Sequence, residues 1–149
     1  MTEGDQIAPP EATHRSAAAR RARTSAVSGS VGAVSAAHPA ATTAAVEILR
    51  AGGNAFDAAV AAQAVVSVVL PQAAGLGGDL LALVRRGDEV RAINGNGRSP
   101  SMMPRVRLDS GASVTVPGLI PAWIDGHSMF GALPLDQILR PAIRIAEQG

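Results

Sequence analysis

The chain has 149 residues, a formal charge of +1 and no cysteine. That length suits one domain, the near-zero charge gives no reason to expect nucleic acid or an anionic membrane as partner, and the absent thiols exclude a disulfide framework and a cysteine nucleophile. The apolar fraction is 47% but the aromatic fraction only 2%, confined to Phe56, Trp123 and Phe130, so the core must come from Ala, Val, Leu and Ile, which bury modest area each and predict marginal stability.

Residues 1–28 are rich in Ala, Arg, Ser and Pro without a buried-face pattern, and read as a disordered tail ahead of a folded part over 29–149. Arg15, Arg20, Arg21 and Arg23 cluster there, without the aromatic interleaving of a nucleic-acid arm. All 13 basic residues are arginine, which a composition bias explains without any arginine-based recognition. Arg20-Arg21 precedes no sustained apolar run of the kind a signal peptide needs. The longest apolar segment, 58–70, is interrupted by Gln63 and falls short of the ~20 residues a spanning helix requires. A soluble, cytoplasmic protein is the expectation.

Val31 to Ala36 is a short strand candidate. Pro39 suits the first turn of a helix, and Ala41, Ala45, Ile48 and Leu49 share a face. Gly52-Gly53 then supplies a left-handed C-terminal cap. Asn54 and Asp57 have the spacing of a capping box for a second helix over 55–69. That helix is apolar almost all round, which predicts burial on most faces. Pro71 stops it. The loop Gly75-Leu76-Gly77-Gly78-Asp79 permits close backbone approach and converging N–H groups; without a surrounding nucleotide-binding βαβ unit it is not a dinucleotide fingerprint.

Leu80 to Val84 is an unbroken apolar run. With the turn Arg86-Gly87-Asp88 and the alternating Glu89 to Ile93, it reads as a hairpin whose first strand is the more buried. Residues 94–112 are loop-like and carry Arg98 between Gly97 and Ser99-Pro100. A guanidinium at a strand end, flanked by Gly and Pro, is suited to grip a carboxylate in bidentate fashion; an exposed loop arginine is the plainer alternative. Ser113 to Val116 reads as a brief strand before Pro117-Gly118, and Leu119 to Phe130 as a short helix. A last helical stripe runs through Leu135, Ile138, Leu139, Ala142, Ile143 and Ala146, with Pro141 predicting a kink or two abutting helices. Helices over a mainly antiparallel sheet of four short strands at most follow from this order, with an open sheet edge.

Several segments together resemble one family. SAAHPAATTAAVEILRAGG over 35–53, NAFDAAVAAQAVVSVVLPQAAGLGGDL running on to Leu80, the Asn-Gly-Arg-Ser-Pro segment over 96–100, Val-Pro-Gly over 116–118 and LPLDQILRPAIRIAEQG at the end are similar, in that order, to the start of the large subunit of the gamma-glutamyltranspeptidases, or glutathione hydrolases. The resemblance spans Gly32 to Gly149. It implies an α/β (α+β) fold of the N-terminal-nucleophile hydrolase type, here an incomplete αββα sandwich with a mainly antiparallel sheet. It also implies acyl (gamma-glutamyl) transfer or hydrolysis in the complete enzyme, without metal or other cofactor. Arg98 stands where the family's arginine holds the alpha-carboxylate of a gamma-glutamyl group. Ser99 replaces the Glu that usually follows, and Pro100 comes one residue early, which makes the segment more similar to the acylase-like branch and puts glutathione itself in question as substrate.

The family's nucleophile is a Thr freed by self-cleavage, with its own alpha-amine as base. Thr13 and Thr24 lie in the tail, Thr42-Thr43 in a helix and Thr115 in a strand, so no catalytic residue is expected within the chain. The nucleophile would come from a small subunit or a C-terminal continuation, and the chain alone would be inactive. The partners then implied are that segment and a gamma-glutamyl or related carboxylate-bearing substrate, with no nucleic acid and no membrane. A non-catalytic binding or assembly module, or a truncated relic of the family, is the alternative. His14 falls in the tail, His38 is expected to cap a helix or make a backbone contact, and His127 to be solvated. No metal-ligand spacing or Gly-x-Ser-x-Gly elbow stands beside them.

Overall fold

His38 and Pro39 open the first helix, and a histidine there can cap because its ring nitrogen accepts an N–H that has no partner within the helix. In the structure, a computed structural model that describes residues 28–99, 111 and 114–149, His38 Nδ1 accepts from the Ala40 N–H at 3.1 Å. Helix α1 runs Pro39–Arg50 and buries Ala41, Ala44, Ala45 and Ile48. Its end is a Schellman motif: the Gly53 N–H donates to the Ile48 carbonyl at 2.9 Å and the Gly52 N–H to Leu49 at 3.2 Å, with Gly52 at φ +93°. The expected cap is therefore the observed one.

Helix α2, Ala55–Val69, starts with the expected capping box between Asn54 and Asp57. It is the central element of the unit Val31–Gly149, packed on both α1 and α4. Burial is strongest over its first half, at Phe56, Asp57, Ala58, Val60 and Ala61, then Ala64 and Val65; from Val66 onward it is half-exposed. Trp123 on helix α3, Leu119–Phe130, is buried and donates from Nε1 to Gln63 Oε1 at 2.9 Å. Gln63, the polar break in an apolar helix, is thus the acceptor that lets an indole be buried.

Strands β1, Leu80–Arg86, and β2, Glu89–Gly95, form an antiparallel pair in which Ala82 faces Ile93 and Leu83 faces Ala92. A two-residue loop joins them, with Gly87 at φ +62°, the place where a type II′ turn puts its positive φ. Ile93 is buried and packs toward α3, whereas Leu81, Leu83 and Val90 on the opposite face are 70%, 78% and 59% exposed. The first strand, expected to be the more buried, is half-buried at Leu80, Ala82 and Val84 and exposed at its other positions. A run apolar at every position suits a strand covered on both faces, and among the described residues only one face is covered.

Three further expectations change. Among the described residues the sheet has two strands: Val31 to Ala36 lies outside any ladder, and Val114 to Val116 has backbone bonds from Val114 to the Gly111 carbonyl at 3.2 Å and from Val116 to the Arg98 carbonyl at 3.1 Å instead of a strand pairing. Helix α4, Leu135–Gln148, is continuous through Pro141, so two abutting helices are not formed. His127 is half-buried, with Nε2 2.7 Å from the Leu133 carbonyl, and therefore donates there instead of facing solvent. The tail over 1–27 with its arginine cluster, the loop over 100–110 and Ser113 lie outside the described residues.

Candidate functional site

Glycines recur at 75, 77, 78, 95, 97 and 118, spread over three separate stretches of chain. At 95, 97 and 118 the reason is steric, whereas a Cβ at Gly75 or Gly77 would meet open space. A Cβ at Gly97 would sit 1.7 Å from the Val116 carbonyl oxygen, and one at Gly118 would sit 2.0 Å from that of Gly95. The segment leaving β2 and the segment entering α3 therefore cross at a separation only glycine allows. The Gly75–Asp79 loop closes on the same point. The Gly78 N–H donates to Gly75 at 3.0 Å, and the Gly78 carbonyl accepts from Gly118 at 3.1 Å and Leu119 at 2.9 Å, two N–H groups at the start of α3.

Asp79 joins these three stretches through its side chain. Its Oδ1 accepts the Gly97 N–H at 2.7 Å, and the Thr115 hydroxyl lies 3.4 Å and 3.3 Å from Oδ1 and Oδ2. Asn94 supports the same turn, its Oδ1 accepting from the Asn96 N–H at 3.1 Å. Arg98 follows Gly97 at the crossing, exposed, with its own carbonyl held by Val116. The glycine loop, the Arg98 segment and the Val-Pro-Gly turn, three motifs scattered over some forty residues, are thus brought together. Asp79 and Thr115 were not singled out by sequence reasoning as partners. The available signal was a carboxylate at the exit of a glycine run, immediately before a strand.

Other candidates are occupied elsewhere. Thr42 lies in α1 with its hydroxyl 3.5 Å from the His38 carbonyl, and Thr43 is in the same helix. Among the described residues no cluster of three His, Cys, Asp or Glu has the arrangement of a metal site, and no helix is long and apolar enough to cross a membrane. A separate groove of about 320 Å³ between α2, α3 and α4 is lined by Val68, Leu76, Ile120, Trp123, Leu139 and Ile143, among others. Among its described lining residues the one hydroxyl, on Ser67, is turned back onto the Gln63 carbonyl at 3.1 Å, so these residues offer apolar contact.

Helices packed with a two-stranded antiparallel sheet make an α+β unit, and its structural neighbours identify the fold as the N-terminal-nucleophile hydrolase type. Solved structures share it: Helicobacter pylori gamma-glutamyltranspeptidase superposes with a TM-score of 0.74 at 29% identity, over 84% of this chain and 40% of that one. The sequence model of gamma-glutamyltranspeptidase matches residues 41–149, and the chain belongs to that family. It is 34% identical to the acylase ACY 1 proenzyme of Pseudomonas sp. (strain SE83), over 82% of this chain and 25% of the relative. With the glutathione hydrolase-like YwrD proenzyme of Bacillus subtilis it shares 38% identity, over 75% of this chain and 23% of the relative. The chain thus spans about a quarter of the length of the curated relatives it matches.

Proposed function

We propose that this chain is the acyl-donor-binding, N-terminal portion of a gamma-glutamyltransferase-like amidohydrolase, and that Arg98 grips a carboxylate of the acyl donor. The observation that carries the reading is the convergence of three family-like motifs on one backbone crossing, with Arg98 exposed beside it. A planar guanidinium on a fixed backbone loses little freedom when it takes a carboxylate in two parallel hydrogen bonds. Holding the donor by its far end would orient the scissile amide toward a nucleophile, which is the proximity term of acyl-transfer catalysis. That nucleophile, a threonine, is supplied by a segment outside residues 1–149, on a small subunit or a continuation. The exposed sheet face of Leu81, Leu83 and Val90 is apolar surface for such a segment to cover. Ser99 in place of the acidic residue favours a carboxylate-bearing amide other than glutathione as donor.

The test is co-expression with the catalytic segment of a related enzyme and kinetics on a chromogenic gamma-glutamyl anilide and a glutaryl anilide. The 149-residue chain alone is expected to give no turnover. In the assembly, Arg98→Ala is expected to raise KM by a factor of ten or more, equivalent to losing about 1.5–3 kcal/mol of charge-assisted hydrogen bonding. Arg98→Lys should recover little, and Arg86→Ala at the hairpin turn should match wild type. Equal kinetic constants for the Arg98 variants and wild type would refute the carboxylate assignment.

A further inference from the structure

We infer that Asp79 is the positioning residue for Arg98, a role that rests on the reading of Arg98 as the carboxylate ligand. Arg98 sits in a closed ring of contacts. On its N-terminal side the Gly97 N–H donates to Asp79 Oδ1 at 2.7 Å; on its C-terminal side the Arg98 carbonyl accepts the Val116 N–H at 3.1 Å. The Thr115 hydroxyl, next to Val116, returns to the Asp79 carboxylate at 3.3 and 3.4 Å and closes the ring. The peptide unit that enters Gly97 and the one that leaves Arg98 are therefore oriented by Asp79, one directly and one through Thr115.

The ring is anchored at its base. The Gly78 carbonyl, one residue before Asp79, is held by two N–H groups at the start of α3, and Leu80, one residue after, begins β1. Asp79 thus transmits the position of a helix and a strand to a loop that has no ladder bonds of its own. A short side chain with two polar atoms suits the task because it can engage an N–H and a hydroxyl together. The absent Cβ at Gly97 is the matching concession on the other side, since any side chain there would strike Val116. A guanidinium carried on a backbone free to pivot would pay for its ordering at each binding event; the ring removes that cost in advance.

Asp79→Asn keeps a carbonyl acceptor, and Thr115→Ser keeps the hydroxyl, so both are expected to behave near wild type, while Asp79→Ala and Thr115→Val open the ring. The first readout is amide hydrogen exchange by NMR on the 149-residue chain. Protection of the Gly97 N–H is expected to fall about fivefold in Asp79→Ala, the factor that loss of one net hydrogen bond gives, and to return in Asp79→Asn. The second readout is kinetics in the assembled enzyme. Asp79→Ala is expected to raise KM about fivefold with kcat retained, and Asp79→Asn to restore it. Wild-type protection of Gly97 in Asp79→Ala overturns the positioning role by itself, whatever Arg98 does. A loss of kcat at unchanged KM also overturns it. Wild-type KM in Arg98→Ala refutes instead the carboxylate reading on which the role rests.

Discussion

Asp57 and Asp79 do the same chemical work in opposite settings. Each carboxylate collects hydrogen-bond donors from distant chain. Asp57 accepts the Asn54 N–H at 3.0 Å, the Ala132 N–H at 3.1 and 3.2 Å and the Leu133 N–H at 3.2 Å. Asp79 accepts Gly97 and Thr115. Yet Asp57 is 0% exposed, inside the junction of α2 with the α3–α4 turn, while Asp79 lies open at the rim of the crossing. The Asn54 side chain reinforces the buried junction by donating to the Phe130 carbonyl. Water can replace a lost partner at Asp79 and cannot at Asp57, so one carboxylate holds the fold together and the other is affordable as a device for the site.

The largest effect that can break this comparison is expected from Asp57→Ala. It leaves three backbone N–H groups without acceptors and removes half of the capping box, at a cost of about 3 kcal/mol or more. A urea titration followed by circular dichroism would read this as a lower midpoint, and a shift under half of that would mean water reaches the junction. A smaller loss, about 1–3 kcal/mol, is expected from Gly118→Ala, because the new methyl group must push back the Gly95 carbonyl at an otherwise intact crossing. Thermal melting of that variant checks it, and wild-type stability would show that the two segments part easily. The smallest effect is expected from Asp79→Ala, about 1 kcal/mol or less in the same urea titration. A loss as large as that of Asp57→Ala would place Asp79 among the structural groups and erase the contrast.

How far each carboxylate was legible from sequence follows the range of its contacts. The Asn54–Asp57 capping box spans three residues, and helix geometry turns that spacing into contact without help from the rest of the chain. The bonds from Asp57 to Ala132 and Leu133 cross 75 and 76 positions, and no local pattern announces them. Arg98 could be singled out because strand-end arginines between Gly and Pro are a local feature. Its dependence on Asp79 and Thr115 is set by separations of 18 and 36 residues around that carboxylate.

The amino-acid sequence by itself determined the helices, the caps of α1 and α2, the hairpin and its turn, and the family, because each of these rests on side chains and backbone preferences within a few residues of one another. Only the tertiary structure decided that Leu81 and Leu83 face outward, that Pro141 stays within one helix, that His127 meets the Leu133 carbonyl, and that the glycine loop, the Arg98 segment and the α3 entry meet at one point. The physical reason is that burial, and the partners it forces on polar groups, belongs to surfaces brought together from distant parts of the chain. Hydrophobic patterning says that a face will be covered without saying by what.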